Sequence, residues 1–321
     1  ISTSKSWWYL IDFVWKCGKW VASDPHSNLD LIASDKNGER IALSHLRSDE
    51  AAEMLGVWLA PNGDNTKIIT VLKTAAVKWG GQVRRGNSSR EEAWTALHSN
   101  ISAKLKYPLP ACTLSERECK SIMYPAIKAA LPKSGMTSTI CTEVRDGPSQ
   151  SGGGGVLSLF HFMGTSRTSF LVEHIFRNTP LGNSIRVCIE DIVLDAGLYG
   201  LIWHMNFSEI KKYIEGHSWV FAILDYNNKH NITLDVDHGI LQQKRKNDKS
   251  IMSLASTYYT KVADLRAINR IRLSFQVHSL SEICSANGKY IMDEYFLNMR
   301  CDRICNPVSY THLRAHETSS Y

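Results

Sequence analysis

Two cysteines and two histidines near the end of the printed sequence are of the types that bind zinc. They are spaced as Cys301-x3-Cys305 followed by His312-x3-His316, which is the ligand order of a C2H2 zinc finger. Such a finger needs about a dozen residues between its Cys pair and its His pair, so that a turn and a helix fit between them. Only six residues separate Cys305 from His312, and this spacing argues against a zinc site.

The other groups that could do chemistry are isolated. Asp235 and Asp237 would point to one side of a strand and could bind a cation, but a single pair of this kind is typical of a surface loop. The glycines at 152–155 lack the Lys-Ser/Thr of a phosphate loop. No GxSxG, HExxH or Asp-Asp pair occurs, and the eight cysteines include no CxxC. The sequence therefore predicts no catalytic residue, no metal site and no cofactor in this chain, and it indicates a reducing compartment.

Positive charge is unevenly distributed along the 321 residues, whose net charge is +6. Residues 61–133 contain 12 Lys/Arg and 5 Asp/Glu, and residues 241–306 contain 11 and 6, whereas residues 134–240 contain 7 and 11. Basic blocks of this kind are typical of proteins that bind phosphate backbones, although solvated helix faces rich in Lys and Arg are also common. No stretch reaches the about 18 consecutive apolar residues of a membrane span. We therefore expect an intracellular protein, cytoplasmic or nuclear, with no membrane partner.

The first basic block must be positioned by helices. From residue 65 the apolar residues repeat with helical period, and the residues between them are basic, which predicts an amphipathic helix that bends or ends at Gly80-Gly81. Capping-box sequences at Ser88 or Ser89 and at Ser115 predict two further helices. The expected apolar side of the first helix is Ile68, Leu72, Ala75, Ala76, Trp79 and Val83. The candidate nucleic-acid-binding residues are Lys67, Lys73, Lys78, Arg84, Arg85, Arg90, Lys104 and Lys106.

The remaining patterns predict an α+β fold, with N-terminal antiparallel β-hairpins followed by a mostly helical remainder. Apolar runs at 7–21 and 29–43 read as hairpins, and residues 55–59 read as a short strand. A further strand is expected at 232–236, and the third helix is expected to kink at Pro125. The predicted regions are β-hairpins at 1–60, a helical subdomain at 61–135, a Gly/Ser-rich linker at 136–155, a mainly helical region at 156–306 and a disordered tail at 307–321.

An ordered series of segments resembles the reverse transcriptases of non-LTR retrotransposons, downstream of their catalytic motif. The resemblance covers about residues 5–295 and is strongest over 50–135. The strongest segments are LGVWLAPNG at 55–63, RRG at 84–86, SREEAWTAL at 89–97, YPLPA at 107–111 and LPKSG at 131–135. Weaker ones are WWYLIDF at 7–13, NRIRL at 269–273, LSEIC at 280–284 and NGKYI at 287–291.

The resemblance implies that this chain is a fragment of an RNA-directed DNA polymerase. Residues 1–60 would be the end of the palm, with Leu55, Gly56 and Val57 in the hairpin that supports the primer end, and residues 61–135 would be the thumb. The family's Tyr-x-Asp-Asp turn, whose carboxylates hold Mg²⁺ in the parent polymerase, does not occur here. We therefore expect a chain that is inactive on its own, lacks the N-terminal fingers and palm of the same polyprotein, and binds an RNA/DNA primer–template duplex.

Two alternatives accompany this interpretation. The chain could instead be a non-enzymatic helical interaction module whose basic faces bind acidic proteins. Separately, residues 307–321 resemble the in-frame translation of a sequencing-library adapter, and we expect them to be no part of the fold.

Overall fold

The computed structural model describes residues 6–16, 19–23, 31–34, 38–214, 218–285 and 289–292. The zinc-type residues from Cys301 to His316 and the tail at 307–321 lie outside these ranges. The chain forms two compact units. The first unit contains Ile1–Asp12 and Ser23–Phe170, and the second contains Phe13–Ala22 and Leu171–Tyr321.

Short paired strands precede the helices, as the sequence predicts. These strands are β1 (Trp7–Trp8), β2 (Asp12–Lys16), β3 (Lys19–Ser23), β4 (Ile32–Ser34), β5 (Arg40–Ala42), β6 (Ser44–His45), β7 (Ala52–Met54) and β8 (Val57–Leu59). The pairs β4–β5 and β7–β8 are antiparallel, β2 pairs with β3, and the two-residue strands β1 and β6 are parallel. The α+β class with N-terminal hairpins is therefore confirmed.

The predicted strand at 55–59 is wrong at its first two residues. Leu55 and Gly56 form a two-residue turn with φ of 52° and 81°, between Met54 and Val57, which are paired in the register of β7 and β8. Positive φ at both central residues is typical of the type I′ turns that close antiparallel hairpins. The apolar run thus folds back on itself, because the strand partner of Val57–Leu59 directly precedes it in the sequence.

The rest of the first unit is helical. Its helices are α1 (Thr66–Arg85), α2 (Arg90–Ala96), α3 (Ser102–Lys106), α4 (Glu116–Lys133), α5 (Thr142–Asp146) and α6 (Leu159–His174), the last of which continues into the second unit. A π-helical turn at Leu97–Ile101 joins α2 to α3, and 3₁₀ turns occur at Leu109–Ala111 and Ser149–Ser151. Ser89 and Ser115 form the predicted capping boxes, with Glu92 and Glu118 respectively.

Helices α1 and α4 run parallel to each other. Asn65 before α1 donates a hydrogen bond to Thr113 before α4 (2.8 Å), and Lys133 at the end of α4 donates to the carbonyl of Gly86 at the end of α1 (2.8 Å). Midway along the pair, a Cβ added at Gly80 would lie 2.9 Å from the carbonyl oxygen of Pro125. The prediction that the first helix could end at Gly80-Gly81 is therefore wrong, since α1 is continuous through both glycines. Gly80 instead allows α4 to approach α1 closely. Helix α4 extends from Glu116 through Pro125 to Lys133, and its predicted kink at Pro125 stays a prediction.

One apolar cluster joins these helices. It consists of Ile68, Leu72 and Ala76 of α1, Leu97, Ile101 and Leu105 of the π turn and α3, Leu109, Cys112 and Leu114 of the connection, Cys119, Ile122, Met123, Ala126 and Ala130 of α4, and Val156, Leu159 and Met163 around α6. Burial raises the pKa of the Cys112 thiol to about 11 and that of Cys119 to about 12, so neither thiol is a nucleophile at neutral pH.

The Gly/Ser-rich segment differs from the flexible linker that its composition predicts. Gly154 donates a backbone hydrogen bond to Val144 (2.8 Å) and Gly155 donates one to Gly147 (2.8 Å). A Cβ at Gly153 would lie 2.3 Å from the carbonyl oxygen of Gly147, so this close backbone packing requires glycine. Because Val156 then enters the apolar cluster just described, the first unit continues through this segment to Phe170.

The second unit is mainly helical. Its elements after α6 are α7 (Pro180–Ala196), β9 (Gly200–Leu201), a 3₁₀ turn (Ile202–His204), α8 (Phe207–Ile210), α9 (Trp219–Lys229), β10 (Ile240–Leu241), α10 (Ile251–Tyr258), α11 (Val262–Ser274) and α12 (Leu280–Ile283). Its core includes Ile189, Ile223 and Met252, each fully buried. The strand expected at 232–236 does not form, because Asn231 with φ of 53° turns the chain and the Ile232 amide bonds back to Asn227 (2.8 Å).

A buried guanidinium completes the end of α7. Arg272 of α11 is 2% exposed and donates to the carbonyl oxygens of Leu194 (2.8 Å) and Asp195 (2.5 Å), while a second nitrogen lies 2.8 Å from Nδ1 of His278. These carbonyls belong to the last turn of α7, where the helix itself offers no donor. Gly197 has φ of 60°, and a Cβ there would meet the guanidinium at 2.5 Å. The Gly197 backbone and the Arg272 side chain thus form one helix-ending unit.

Candidate nucleic-acid interface

Helix α1 separates apolar and basic side chains around its circumference. Its buried residues are Ile68, Leu72, Ala76, Gly80 and Val83. All five basic candidates on this helix, Lys67, Lys73, Lys78, Arg84 and Arg85, are exposed. Trp79 belongs to the apolar side as predicted, but it is only partly buried. The amphipathic helix predicted from residue 65 is therefore confirmed.

The five basic residues of α1 do not form a single row. At 100° per residue, Lys67, Lys78 and Arg85 fall within about 20° of one another, opposite the buried side. Lys73 and Arg84 form a second row about 100–140° away, next to the edge that packs on α4. At about 1.5 Å per residue, each row extends about 16 Å or more along the helix axis. The exposed surface of α1 therefore presents two lengthwise rows of positive charge.

The acidic side chains of the same region are mostly used at helix N-termini. Asp64 accepts hydrogen bonds from the amide and the hydroxyl of Thr66 (3.2 and 2.8 Å). Glu92 and Glu118 accept from the backbone amides of Ser89 and Ser115, each at 2.7 Å. Glu116 pairs with Lys120 one helical turn away (2.8 Å). A carboxylate in the first turn of a helix is stabilised by the unpaired amides there, so Asp64, Glu92 and Glu118 do not need a basic partner.

The basic candidates, in contrast, have no carboxylate partner among the residues that the structure describes. Within the part of the chain that the structure describes, no ion pair involves any of the eight residues proposed from the sequence. Two of them lie over aromatic rings, since the Lys67 ammonium is 4.8 Å from the Trp58 ring centre and the Lys106 ammonium is 5.6 Å from that of Phe162. Such cation–π contacts orient a lysine without neutralising its charge. The region thus keeps its positive charge on the outside.

Three basic side chains, Arg85, Arg90 and Lys133, lie near the ends of α1 and α4. Arg85 donates to the carbonyl of Gly81 (3.3 Å) and Lys133 donates to that of Gly86. Arg90, at the start of α2, packs against Gly135, whose added Cβ would lie 3.3 Å from the guanidinium. Lys133 was not among the predicted site residues. Its signal in the sequence is a lysine in the last turn of a helix, which is usually assigned to the helix dipole rather than to a ligand.

The tip of the β7–β8 hairpin is held against the helices by one hydrogen bond. The Tyr107 hydroxyl donates to the carbonyl oxygen of Leu55 (3.0 Å), and an added Cβ at Gly56 would lie 3.7 Å from the same ring. Leu55 is 87% exposed and has a positive φ, a conformation that costs a non-glycine residue about 1–2 kcal/mol. Sequence reasoning missed Tyr107, because the residues that meet here are 52 positions apart.

The described residues contain no group of three or more His, Cys, Asp or Glu side chains that could hold a metal ion. Among the helices that the structure describes, none is both long and apolar enough to cross a membrane. Comparisons with protein-family models, with curated proteins and with solved structures gave no match.

Proposed function

We propose that the chain is part of an RNA-directed DNA polymerase of the non-LTR retrotransposon type and that it binds the backbone of a primer–template duplex through α1, α2 and α3. The observation that supports this proposal most strongly is the absence, within the described residues, of any carboxylate partner for the eight basic candidates. Unpaired cations on a surface whose acids are occupied at helix ends match a polyanionic ligand.

The arrangement favours contacts to phosphates over contacts to bases. Each lysine or arginine that neutralises a phosphate releases condensed counterions, which supplies affinity without reading sequence. The two rows on α1 are held rigidly, because the opposite side of the helix lies in the apolar cluster of the first unit. A rigid row loses little conformational freedom on binding.

The β7–β8 hairpin has a defined place in this proposal. Its Leu55-Gly56 turn would support the primer end, as the resemblance implies. Tyr107 would hold the turn in a fixed position relative to α1 and α3. Trp58 of β8 also contacts Lys67, so one strand of the hairpin is linked to one basic row.

Salt-dependent binding tests the proposal with a matched pair of variants. K73A/K78A removes one lysine from each row, and K211A/K212A removes two second-unit lysines that pair with Asp225 and Glu209. We expect the affinity of the full chain for an RNA–DNA hybrid duplex to fall with salt, and K73A/K78A to reduce the slope by about one to two. K211A/K212A should leave the slope unchanged, although it has the same net charge as K73A/K78A. Equal slopes for the two variants would refute the proposed surface.

The alternative module for acidic proteins is an outcome of the same assay. If K73A/K78A weakened binding to poly-L-glutamate but not to the duplex, that alternative would replace the proposal. We also expect no extension of a primer by the purified chain with dNTPs and Mg²⁺, because two-metal nucleotidyl transfer requires clustered carboxylates that the sequence does not nominate. Template-dependent extension would reveal an active site that these interpretations lack.

A further inference from the structure

A second basic surface lies in the second unit, on the loop between β10 and α10. Residues 243–249 read Gln-Lys-Arg-Lys-Asn-Asp-Lys, and all of them except Asp248 are exposed. Basic loops of this composition are commonly solvated and mobile. This loop differs, because hydrogen bonds fix both its backbone and its one acidic side chain.

The Asp248 carboxylate faces inward. It accepts hydrogen bonds from the Tyr199 hydroxyl (3.1 Å), the Ser281 amide (3.2 Å) and the Ser281 hydroxyl (2.5 Å). Burial by itself would raise the pKa of Asp248, but the hydrogen bonds from Ser281, Ser279 and Tyr199 outweigh it and lower the pKa. The negative charge of Asp248 is thus stabilised by hydrogen bonds from residues of the second unit.

The loop backbone is fixed at several points. The Asp248 amide donates to the carbonyl of Arg245 (3.2 Å), which closes a turn, and Asn247 in that turn has φ of 62°. The carbonyl of Lys249 accepts from the Leu280 amide (3.0 Å), and Ser250 forms a β-bridge with Ser279. A pinned turn presents its side chains at low entropic cost to a partner.

The other nearby carboxylate is also occupied. Glu282 accepts hydrogen bonds from the backbone amides of Ser279 (2.9 Å) and His278, and it forms an ion pair with Lys244. Within the described residues, Arg245, Lys246 and Lys249 have no ion pair. The loop therefore directs three unneutralised cations outward from a fixed turn.

We propose that Arg245, Lys246 and Lys249 form a second phosphate-binding surface, which contacts the backbone of the same class of nucleic acid as the first unit does. This inference rests on the proposed function for its choice of polyanion. The loop presents no aromatic side chain for base stacking, so its contacts would go to phosphates and would be independent of sequence. Full binding would then depend on both units.

The test uses the full chain, a fluorescein-labelled RNA–DNA hybrid duplex and a salt series between about 50 and 200 mM. R245A/K246A removes two of the loop cations, and K261A/R270A is the matched control, since it also removes one exposed lysine and one exposed arginine from the second unit. We expect R245A/K246A to reduce the salt slope by about one to two and K261A/R270A to leave it unchanged. The charge-preserving R245K/K246R should restore the wild-type slope, which separates lost contacts from a misfolded loop.

Each outcome is decisive. Equal slopes for R245A/K246A and K261A/R270A would overturn the inference, as would a loss of binding to poly-L-glutamate without any loss for the duplex. If K73A/K78A reduced the slope while R245A/K246A did not, the proposed function would stand and only this inference would fall. The reverse result would keep the loop surface and refute the α1 surface. A wild-type chain that bound no duplex at low salt would overturn both.

Discussion

The helices α1–α4 and the part of the second unit between Glu173 and Asp225 use their charged side chains in different ways. In α1–α4 most of the acids lie at helix N-termini, and most of the basic residues have no carboxylate partner in the described structure. In the second unit, Arg177, Lys211 and Lys212 pair with acids at 2.5–2.7 Å. Exposed pairs of this kind contribute only about 0–1 kcal/mol to stability, but they neutralise the surface. Under the proposed function, the unpaired charge of the first unit is available to an external polyanion, whereas paired charge is not.

The buried Arg272 provides the largest test of this contrast, because its guanidinium bonds to groups inside the second unit. Replacing it with alanine would remove the guanidinium donor from the carbonyls of Leu194 and Asp195 and open a cavity. We expect R272A to lower the free energy of unfolding by about 3–5 kcal/mol. Urea denaturation, with hydrogen exchange of second-unit peptides, measures this effect. A loss below about 1 kcal/mol would show that the guanidinium does not complete α7.

Trp79 tests the division of α1 into an apolar and a basic side. Truncating a fully buried aromatic side chain to alanine lowers the free energy of unfolding by about 3–5 kcal/mol. Because Trp79 is only partly buried, we expect W79A to lower it by about 2 kcal/mol. K73A/K78A should change stability by less than about 0.5 kcal/mol, because both lysines are exposed and unpaired in the described structure. Thermal denaturation of the two variants compares the sides directly. A silent W79A or an unfolded K73A/K78A would reverse the assignment.

His278 adds a pH dependence to the second unit. Burial and the neighbouring Arg272 lower its pKa, against the opposite effect of Glu282, and Lys244 lowers it further. The unfolded chain therefore binds a proton that the folded chain does not, so stability falls as the pH drops through the unfolded value near about 6.5. We expect H278Q to be less sensitive than the wild type between about pH 7.5 and 5.5. Hydrogen exchange of second-unit peptides at both pH values measures this difference in stability. The same pH response in H278Q and the wild type would contradict the prediction.

Tyr107 gives the smallest expected effect. Y107F removes only the hydroxyl that donates to Leu55, so we expect a loss of about 0.5–1.5 kcal/mol, seen as faster hydrogen exchange in the β7–β8 hairpin. Y124F, on the exposed surface of α4, serves as the control. Equal exchange rates in the two variants would show that the hydrogen bond does not hold the turn.

The sequence predicts local features of this fold better than distant contacts. The helical period from residue 65 and the capping boxes at Ser89 and Ser115 define helices that the structure confirms, because the signals lie within a few residues. The Leu55-Gly56 turn was missed because Leu is unusual at positive φ. The Gly/Ser segment was misjudged because composition does not reveal which glycines pack against backbone.

The candidate site shows the same limit. The exposure of the basic residues on α1 and their separation into two rows both follow from the helical period, since 100° per residue fixes their angles around the axis. Lys133 joins the site through the parallel packing of α1 and α4, and Tyr107 joins it through a hydrogen bond to Leu55. Neither contact has a local pattern in the sequence.

The most direct test of the central claim is acetylation footprinting of lysines with and without an RNA–DNA hybrid duplex, read by mass spectrometry. We expect bound duplex to protect Lys73 and Lys78 from acetylation and to leave Lys211 and Lys212 unchanged, since Lys211 and Lys212 pair with acids whereas Lys73 and Lys78 have no ion pair in the described structure. Protection should disappear at high salt. Equal protection at all four lysines, or protection at Lys211 and Lys212 alone, would contradict the account.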